Sequence, residues 1–160
     1  MSSDRIAHLT LDEATVLARS PEVERERQVA LRDLAADNRF APLRAAERGH
    51  AGPWSLALSV DEGRLAMAVR DRDGEDAGTI GLGLARFRRV VREYFAICDS
   101  YYKALRKASP GEIETLDMAR RAIHDRGTRQ LLEALEAKVE TDFATARRLF
   151  TLICVLHIRA

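Results

Sequence analysis

The sequence has few of the features that usually reveal a compartment or a reaction. Only two cysteines occur in 160 residues, and both lie in apolar runs, so we expect no structural disulfide. The longest apolar run covers residues 149–158, whereas a membrane-spanning helix needs about 20 residues. No apolar leader follows the initial methionine. We therefore expect a cytoplasmic protein without a membrane segment.

The chain also lacks a large excess of one charge. Its formal net charge is +1, which argues against a nucleic-acid partner. The two halves differ, because residues 1–80 carry 11 Arg against 15 Asp and Glu, whereas residues 81–160 carry 15 Lys and Arg against 10 Asp and Glu. This asymmetry is consistent with head-to-tail contacts or an anionic partner, and chance is the simpler alternative.

Short catalytic and cofactor-binding motifs are missing. No Gly-x-Ser-x-Gly element, phosphate loop or zinc-ligand spacing occurs. Gly81 and Gly83 stand between a predicted strand and a predicted helix, as in a dinucleotide-binding turn, but Arg86 occupies the place of the third glycine. We therefore assign no catalytic residue, no metal ligand and no cofactor.

The N-terminal half predicts one helix and a small sheet. With 46% hydrophobic residues, the chain can build the core of a single domain over residues 1–160. Residues 5–11 alternate weakly like a strand, and Ser20-Pro21-Glu22 has the composition of a helix start. Three alternating segments, separated by polar turns, predict an antiparallel meander: residues 54–60, 65–69 and 79–84.

The C-terminal half predicts helices. Apolar residues recur at steps of three and four from Phe87 to Leu105. Ser109 has the character of the next N-cap, and Gly127 is predicted to end that helix. His124 would then lie near a helix C-terminus, where a cation is favoured.

A short helix over residues 128–138 and a terminal helix complete the prediction. Thr141 or Asp142 supplies the last N-cap, and the terminal helix is apolar on every side, so we expect it to be buried. The predicted fold class is α+β: a small antiparallel β-meander packed against a helical layer, with a buried C-terminal helix.

The densest basic cluster lies at the start of the long helix. The helix macrodipole disfavours cations there, so the cluster requires either an anionic ligand or nearby carboxylates. We consider it a candidate site for a phosphate- or carboxylate-bearing ligand, with internal ion pairing as the alternative. Its residues are Arg86, Arg88, Arg89 and Arg92.

Arg-Arg doublets recur at residues 88–89, 120–121 and 147–148. Aliphatic arginine stems that cover apolar edges explain such doublets. A shared binding face would require the doublets to converge in the fold.

The long helix also carries all three tyrosines, Tyr94, Tyr101 and Tyr102. Amphipathic rings of this kind are common in protein interfaces, and core packing with boundary hydroxyls is the alternative. Cys98, Cys154 and His157 could approach one another if their helices pack together. Their apolar surroundings favour buried, unreactive side chains over a metal site or a nucleophile.

Four stretches of the chain match known proteins in order: residues 20–24, 87–102, 113–121 and 142–157. They resemble the small alphaproteobacterial proteins of the uncharacterised protein family 0262. No activity, cofactor or site residue is established for that family. The resemblance therefore implies a single-domain cytoplasmic bacterial protein and leaves the function open.

The sequence favours a non-enzymatic binding or regulatory protein that acts through protein–protein contacts. It would associate with a partner or with itself as a homodimer, through the tyrosine-bearing helix or a sheet edge. The alternative is an enzyme or sensor that binds a small anion at the arginine cluster. A deep arginine-lined pocket would favour the second function, and a flat apolar surface would favour the first.

Overall fold

The computed structural model describes residues 3–13 and 20–157. They form an α+β fold with a mixed sheet and a layer of helices, which confirms the predicted fold class. A 3₁₀ turn, Ala85–Phe87, precedes the long helix. In chain order the elements are β1 (Ile6–Leu11), α1 (Pro21–Ala36), β2 (Phe40–Pro42), α2 (Leu43–Glu47), β3 (Trp54–Asp61), β4 (Arg64–Arg70), β5 (Asp76–Gly83), α3 (Arg88–Lys107), α4 (Pro110–Leu135), β6 (Val139–Thr141) and α5 (Phe143–Leu156).

The main sheet has the strand order β1-β3-β4-β5. β3, β4 and β5 form the predicted antiparallel meander, and β1 adds a strand parallel to β3. Glu62 and Gly63 both have positive φ between β3 and β4, the conformation that a two-residue hairpin turn requires. Leu56, Leu58 and Met67 are at most 2% exposed, so one face of the sheet belongs to the core.

Three helices begin with the side-chain caps that the sequence predicts. The hydroxyls of Ser20 and Ser109 each accept a hydrogen bond from the amide three residues further on, at 3.2 and 3.3 Å. Of the two candidates before α5, Asp142 is the cap, and its carboxylate accepts a hydrogen bond from the Thr145 amide at 2.8 Å. These contacts satisfy amides that have no acceptor inside their own helix.

α4 continues through Gly127 to Leu135, so the predicted helix end at Gly127 and the separate helix over residues 128–138 are wrong. Gly127 packs against the ring of Phe150 on α5, and a Cβ there would lie less than 3.0 Å from ring atoms. The missing side chain therefore permits close helix packing. His124 lies inside the helix and is 5% exposed, rather than near a helix end.

α5 is the central buried helix that the sequence predicts. Every residue from Leu149 to Leu156 is buried, and the helix packs against α1 and α4. Ile158, the last residue of the predicted apolar run, lies outside the described residues. Within the two described ranges, no helix combines the length and the apolar character needed to cross a membrane.

Candidate functional site

α1 packs on α5, and two clefts open beside it. The thiol cleft lies between α1, α3 and α5, contains Cys98 and Cys154, and has a volume of about 430 Å³. The arginine cleft lies between α1, α4 and α5, is lined by the doublets at residues 120–121 and 147–148, and has a volume of about 400 Å³. The two clefts are neighbours, because Glu26, Tyr94 and Thr151 line both.

The thiol cleft has apolar walls and a charged rim. Val23, Phe95 and Val155 supply apolar wall from three different helices. At the rim, Arg106 on α3 donates a hydrogen bond to Glu22 on α1 at 3.2 Å. A second ion pair at this rim joins Lys103 to Asp99, four residues earlier on α3, at 2.9 Å. The rim charges are therefore matched, and the apolar walls determine what the interior can hold.

The two cysteines of the thiol cleft are held in the thiol form. Burial raises the pKa of Cys98 to about 11, although its hydrogen bond with Tyr94 acts in the opposite direction. Burial also raises the pKa of Cys154 well above its ordinary value. Both side chains are therefore protonated at neutral pH, and thiols are far weaker nucleophiles and metal ligands than thiolates. Among the described residues, no group of three or more His, Cys, Asp or Glu side chains could hold a metal ion.

Glu26 is the charged group of the wall that the two clefts share. Its carboxylate accepts a hydrogen bond from the Tyr102 hydroxyl at 2.6 Å and lies 3.5 Å from a guanidinium nitrogen of Arg120. Burial, together with the hydrogen bond to Glu26, raises the pKa of Tyr102. These contacts tie α1 to both α3 and α4.

In the arginine cleft, Arg120 is engaged by several groups at once. It donates a hydrogen bond to Asp117 at 2.7 Å and lies 4.7 Å above the Tyr101 ring. Burial acts to lower the pKa of Arg120, but Asp117, Glu26 and Tyr94 raise it overall. Arg120 is therefore a fixed, permanently charged part of the wall.

His124 lies in the same wall as a neutral imidazole. Its Nε2 is 2.7 Å from the Thr151 hydroxyl, whereas its buried Nδ1 has no hydrogen-bond partner in the described part of the chain. Its ring lies edge-on to Tyr94 and Phe150. Burial, and then the charges of Arg147 and Arg120, lower the pKa of His124 to about 4.

The sequence-predicted arginine cluster does not line either cleft. Its side chains are exposed: Arg86 lies in the 3₁₀ turn before α3, and the other three lie in the first two turns of α3. Arg89 donates a hydrogen bond to Glu93 at 3.1 Å, and Arg86 lines another cavity, of about 520 Å³, with Arg64 and Lys138. Anion binding by this cluster stays a prediction. Its residues are Arg86, Arg88, Arg89 and Arg92.

The three predicted interface tyrosines have partners inside the chain. Tyr94 is 3% exposed, Tyr101 lies under the Arg120 guanidinium, and Tyr102 donates to Glu26. Tyr101 and Tyr102 are half-buried, so part of each ring reaches the surface. Their role in an interface stays a prediction.

The arginine cleft was not predicted from the sequence, although two of the recurring Arg-Arg doublets line it. The doublets at residues 120–121 and 147–148 converge, as a shared binding face requires. The third doublet, at residues 88–89, lies elsewhere. Only the packing of α4 on α5 determines which doublets meet.

Comparison with known proteins places nearly the whole chain in one family. Residues 3–159 match the model of the uncharacterised protein family UPF0262. A UPF0262 protein of Erythrobacter litoralis is 61% identical over 99% of both chains, and one of Novosphingobium aromaticivorans is 60% identical over 99% of both. A third, of Sphingopyxis alaskensis, is 51% identical over 99% of this chain and 96% of its own length. No solved structure shows a significant match.

Proposed function

We propose that this chain, which belongs to the uncharacterised family UPF0262, is a non-enzymatic binding protein that holds a small, largely apolar molecule in the thiol cleft. The observation that supports this function is the cleft itself, which offers about 430 Å³ between three helices. Ligand sites of this kind measure about 300–1,000 Å³ and combine apolar walls with a few polar groups.

The chemistry of the walls supports binding rather than covalent reaction. The two thiols are protonated at neutral pH because burial raises the pKa of both Cys98 and Cys154. The charges at the rim are matched in ion pairs, such as that between Arg106 and Glu22. An apolar ligand would gain by covering the wall, while the rim groups fix the orientation of its polar end.

A neutral naphthylamine fluorophore tests this function. We expect saturable binding to the wild-type chain and a fluorescence increase on transfer to the apolar interior. Val23→Trp fills the thiol cleft and should weaken binding at least tenfold. The matched control is Val29→Trp, on the same helix, because Val29 lines the arginine cleft instead.

Alkylation of Cys98 provides a second measurement on the wild-type chain. In alkaline buffer, where some Cys98 thiolate forms despite its pKa of about 11, the bound fluorophore should slow the reaction of iodoacetamide with Cys98, because this side chain lies in the cleft. If no neutral apolar probe binds saturably, or if Val29→Trp weakens binding as much as Val23→Trp, the proposed site is wrong.

Self-association through α3 is the second candidate function. Leu105 is 49% exposed and lies three and four residues after Tyr102 and Tyr101, so the three side chains share one helix face. Light scattering on the wild-type chain and on Leu105→Glu distinguishes the outcomes. A dimer that the charge dissociates supports association, and a monomer at high protein concentration contradicts it.

A further inference from the structure

We infer that the arginine cleft is a second binding site, which takes a small molecule bearing a phosphate or carboxylate group. The cleft offers about 400 Å³, and four arginines line it against the carboxylates of Glu26 and Asp33. This site is separate from the proposed apolar site and does not depend on it.

Two of the four arginines donate no hydrogen bond to an acceptor within residues 3–13 and 20–157. The nearest carboxylate oxygens lie 3.9 Å from Arg147, on Asp125, and 3.8 Å from Arg148, on Asp33. Both distances exceed the range of a hydrogen bond. In contrast, Arg120 and Arg121 hold the Asp117 carboxylate at 2.7 and 2.9 Å. The guanidinium groups available to a ligand therefore come from α5.

The N-terminus of α5 also favours an anion in the arginine cleft. Phe143 and Ala144, the first two residues of this 14-residue helix, line the cleft. The Asp142 side chain caps the amide of Thr145. No acceptor among the described residues is bonded to the amides of Phe143 or Ala144. Helix N-terminal amides and the helix dipole favour an anion at such a position.

The imidazole of His124 is the third feature that points to a ligand. Its side chain is 5% exposed and lines the cleft, and its buried Nδ1 has no partner in the described part of the chain. The Thr151 hydroxyl donates to the Arg147 carbonyl oxygen at 3.3 Å and lies 2.7 Å from Nε2, so Nε2 carries the proton of the neutral imidazole and donates it to Thr151. An anion in the cleft would offset the charges of Arg147 and Arg120 that, with burial, lower the pKa of His124, and would therefore favour protonation of Nδ1.

The groups that oppose an anion are also identified. Glu26 and Asp33 line the cleft, while Asp117 and Asp125 contact its arginines. Asp117 and Glu26 are engaged at short range by Arg120 and by the Tyr102 hydroxyl. The remaining acids, Asp33 and Asp125, stand beyond hydrogen-bond distance of Arg148 and Arg147. A ligand oxyanion can therefore bond to these two arginines without breaking a short ion pair.

Calorimetric titration with inorganic phosphate, and separately with acetate, tests the site at constant ionic strength. We expect saturable binding of at least one of them in the millimolar range or tighter. Arg147→Gln and Arg148→Gln should each weaken it about tenfold or more, because a charge-assisted hydrogen bond is lost. Arg129→Gln is the control, since Arg129 is exposed on α4 and does not line the cleft. Phosphate binding without acetate binding would identify a phosphate-bearing ligand, and the reverse would identify a carboxylate.

Val29→Trp and nuclear magnetic resonance of the imidazole complete the test. Filling the arginine cleft at Val29 should abolish anion binding, whereas Val23→Trp removes only the apolar probe of the thiol cleft. Bound phosphate should shift the resonances of His124 and raise its titration midpoint from about 4. The inference is overturned if neither anion binds, if Arg129→Gln removes binding, or if binding leaves His124 unchanged. Circular dichroism of each variant confirms that it is folded.

Discussion

At the scale of single residues, His124 shows how burial changes chemistry. A histidine near a helix end would be a favourable cation, and the sequence predicted that position. In the folded chain the ring is instead enclosed by Tyr94 and Phe150, with centroid distances of 5.1 and 5.4 Å. Two arginines add positive charge nearby, so burial and these charges lower the pKa of His124 to about 4. His124 is therefore harder to protonate in the folded state than in the unfolded chain.

This difference predicts a loss of stability in mild acid. Because the folded pKa lies below the ordinary value of 6.5, the contribution of His124 is fully present above about pH 6.5. It falls as the pH approaches 4, by up to roughly 3 kcal/mol. His124→Phe keeps an aromatic ring but removes the titrating group, so its free energy of unfolding should depend less on pH.

Urea unfolding between pH 7.5 and 4.5, in phosphate-free buffer, measures this effect. His8→Phe is the control, because His8 is exposed on β1. Equal pH dependence of the wild type and His124→Phe would contradict the assignment.

At the scale of helices and strands, local signals predicted the element starts but not every end. The caps Ser20, Ser109 and Asp142 are read from neighbouring residues, because capping is a local interaction. The turn before β4 was equally visible, since Gly63 supplies a positive φ. β2, β6 and α2 have three to five residues each, too few for a hydrophobic period to appear. Gly127 was misread because its reason, the ring of Phe150, lies 23 positions away in the sequence.

Gly127→Ala tests this explanation. In an exposed helix the change would stabilise by about 1 kcal/mol, but here the new Cβ overlaps the Phe150 ring. Phe150 is fully buried and cannot move freely, so we expect a net loss of roughly 1–3 kcal/mol in the free energy of unfolding. Gly111→Ala, on the same helix with no atom within 4 Å, should be neutral or slightly stabilising.

A second substitution separates packing from helix propensity. Phe150→Leu should restore part of the stability of Gly127→Ala, because it removes the atoms that the methyl group meets. Thermal and chemical denaturation of the two single variants and the double variant give the coupling free energy between Gly127→Ala and Phe150→Leu. Additive losses would show that Gly127 is required for another reason.

At the scale of the whole molecule, the candidate sites are products of tertiary packing. The walls of the two clefts come from segments far apart in the chain, which meet because α5 is buried between the other helices. Hydrophobic periodicity could place Tyr94, Cys98 and Cys154 on inner faces. It could not show that two arginine doublets converge, since that depends on how α4 and α5 are aligned. The shared residue Glu26 connects these regions through Tyr102 and Arg120.

Glu26→Gln should therefore have opposite effects on stability and on anion binding. The amide still accepts a hydrogen bond from Tyr102, but Arg120 loses a charged partner, so we expect the free energy of unfolding to fall by about 1–3 kcal/mol. The same change removes a negative charge from the arginine cleft and should strengthen phosphate binding on the order of threefold to tenfold at low ionic strength.

Glu22→Gln is the matched control on α1, because Glu22 lines only the thiol cleft and pairs with the exposed Arg106. That variant should lose at most about 1 kcal/mol and bind phosphate as the wild type does. Denaturation and calorimetry of the two variants measure both quantities. A fall in phosphate affinity that parallels the loss of stability would mean that Glu26 supports the arginine cleft only through folding and that its charge does not act on a bound anion.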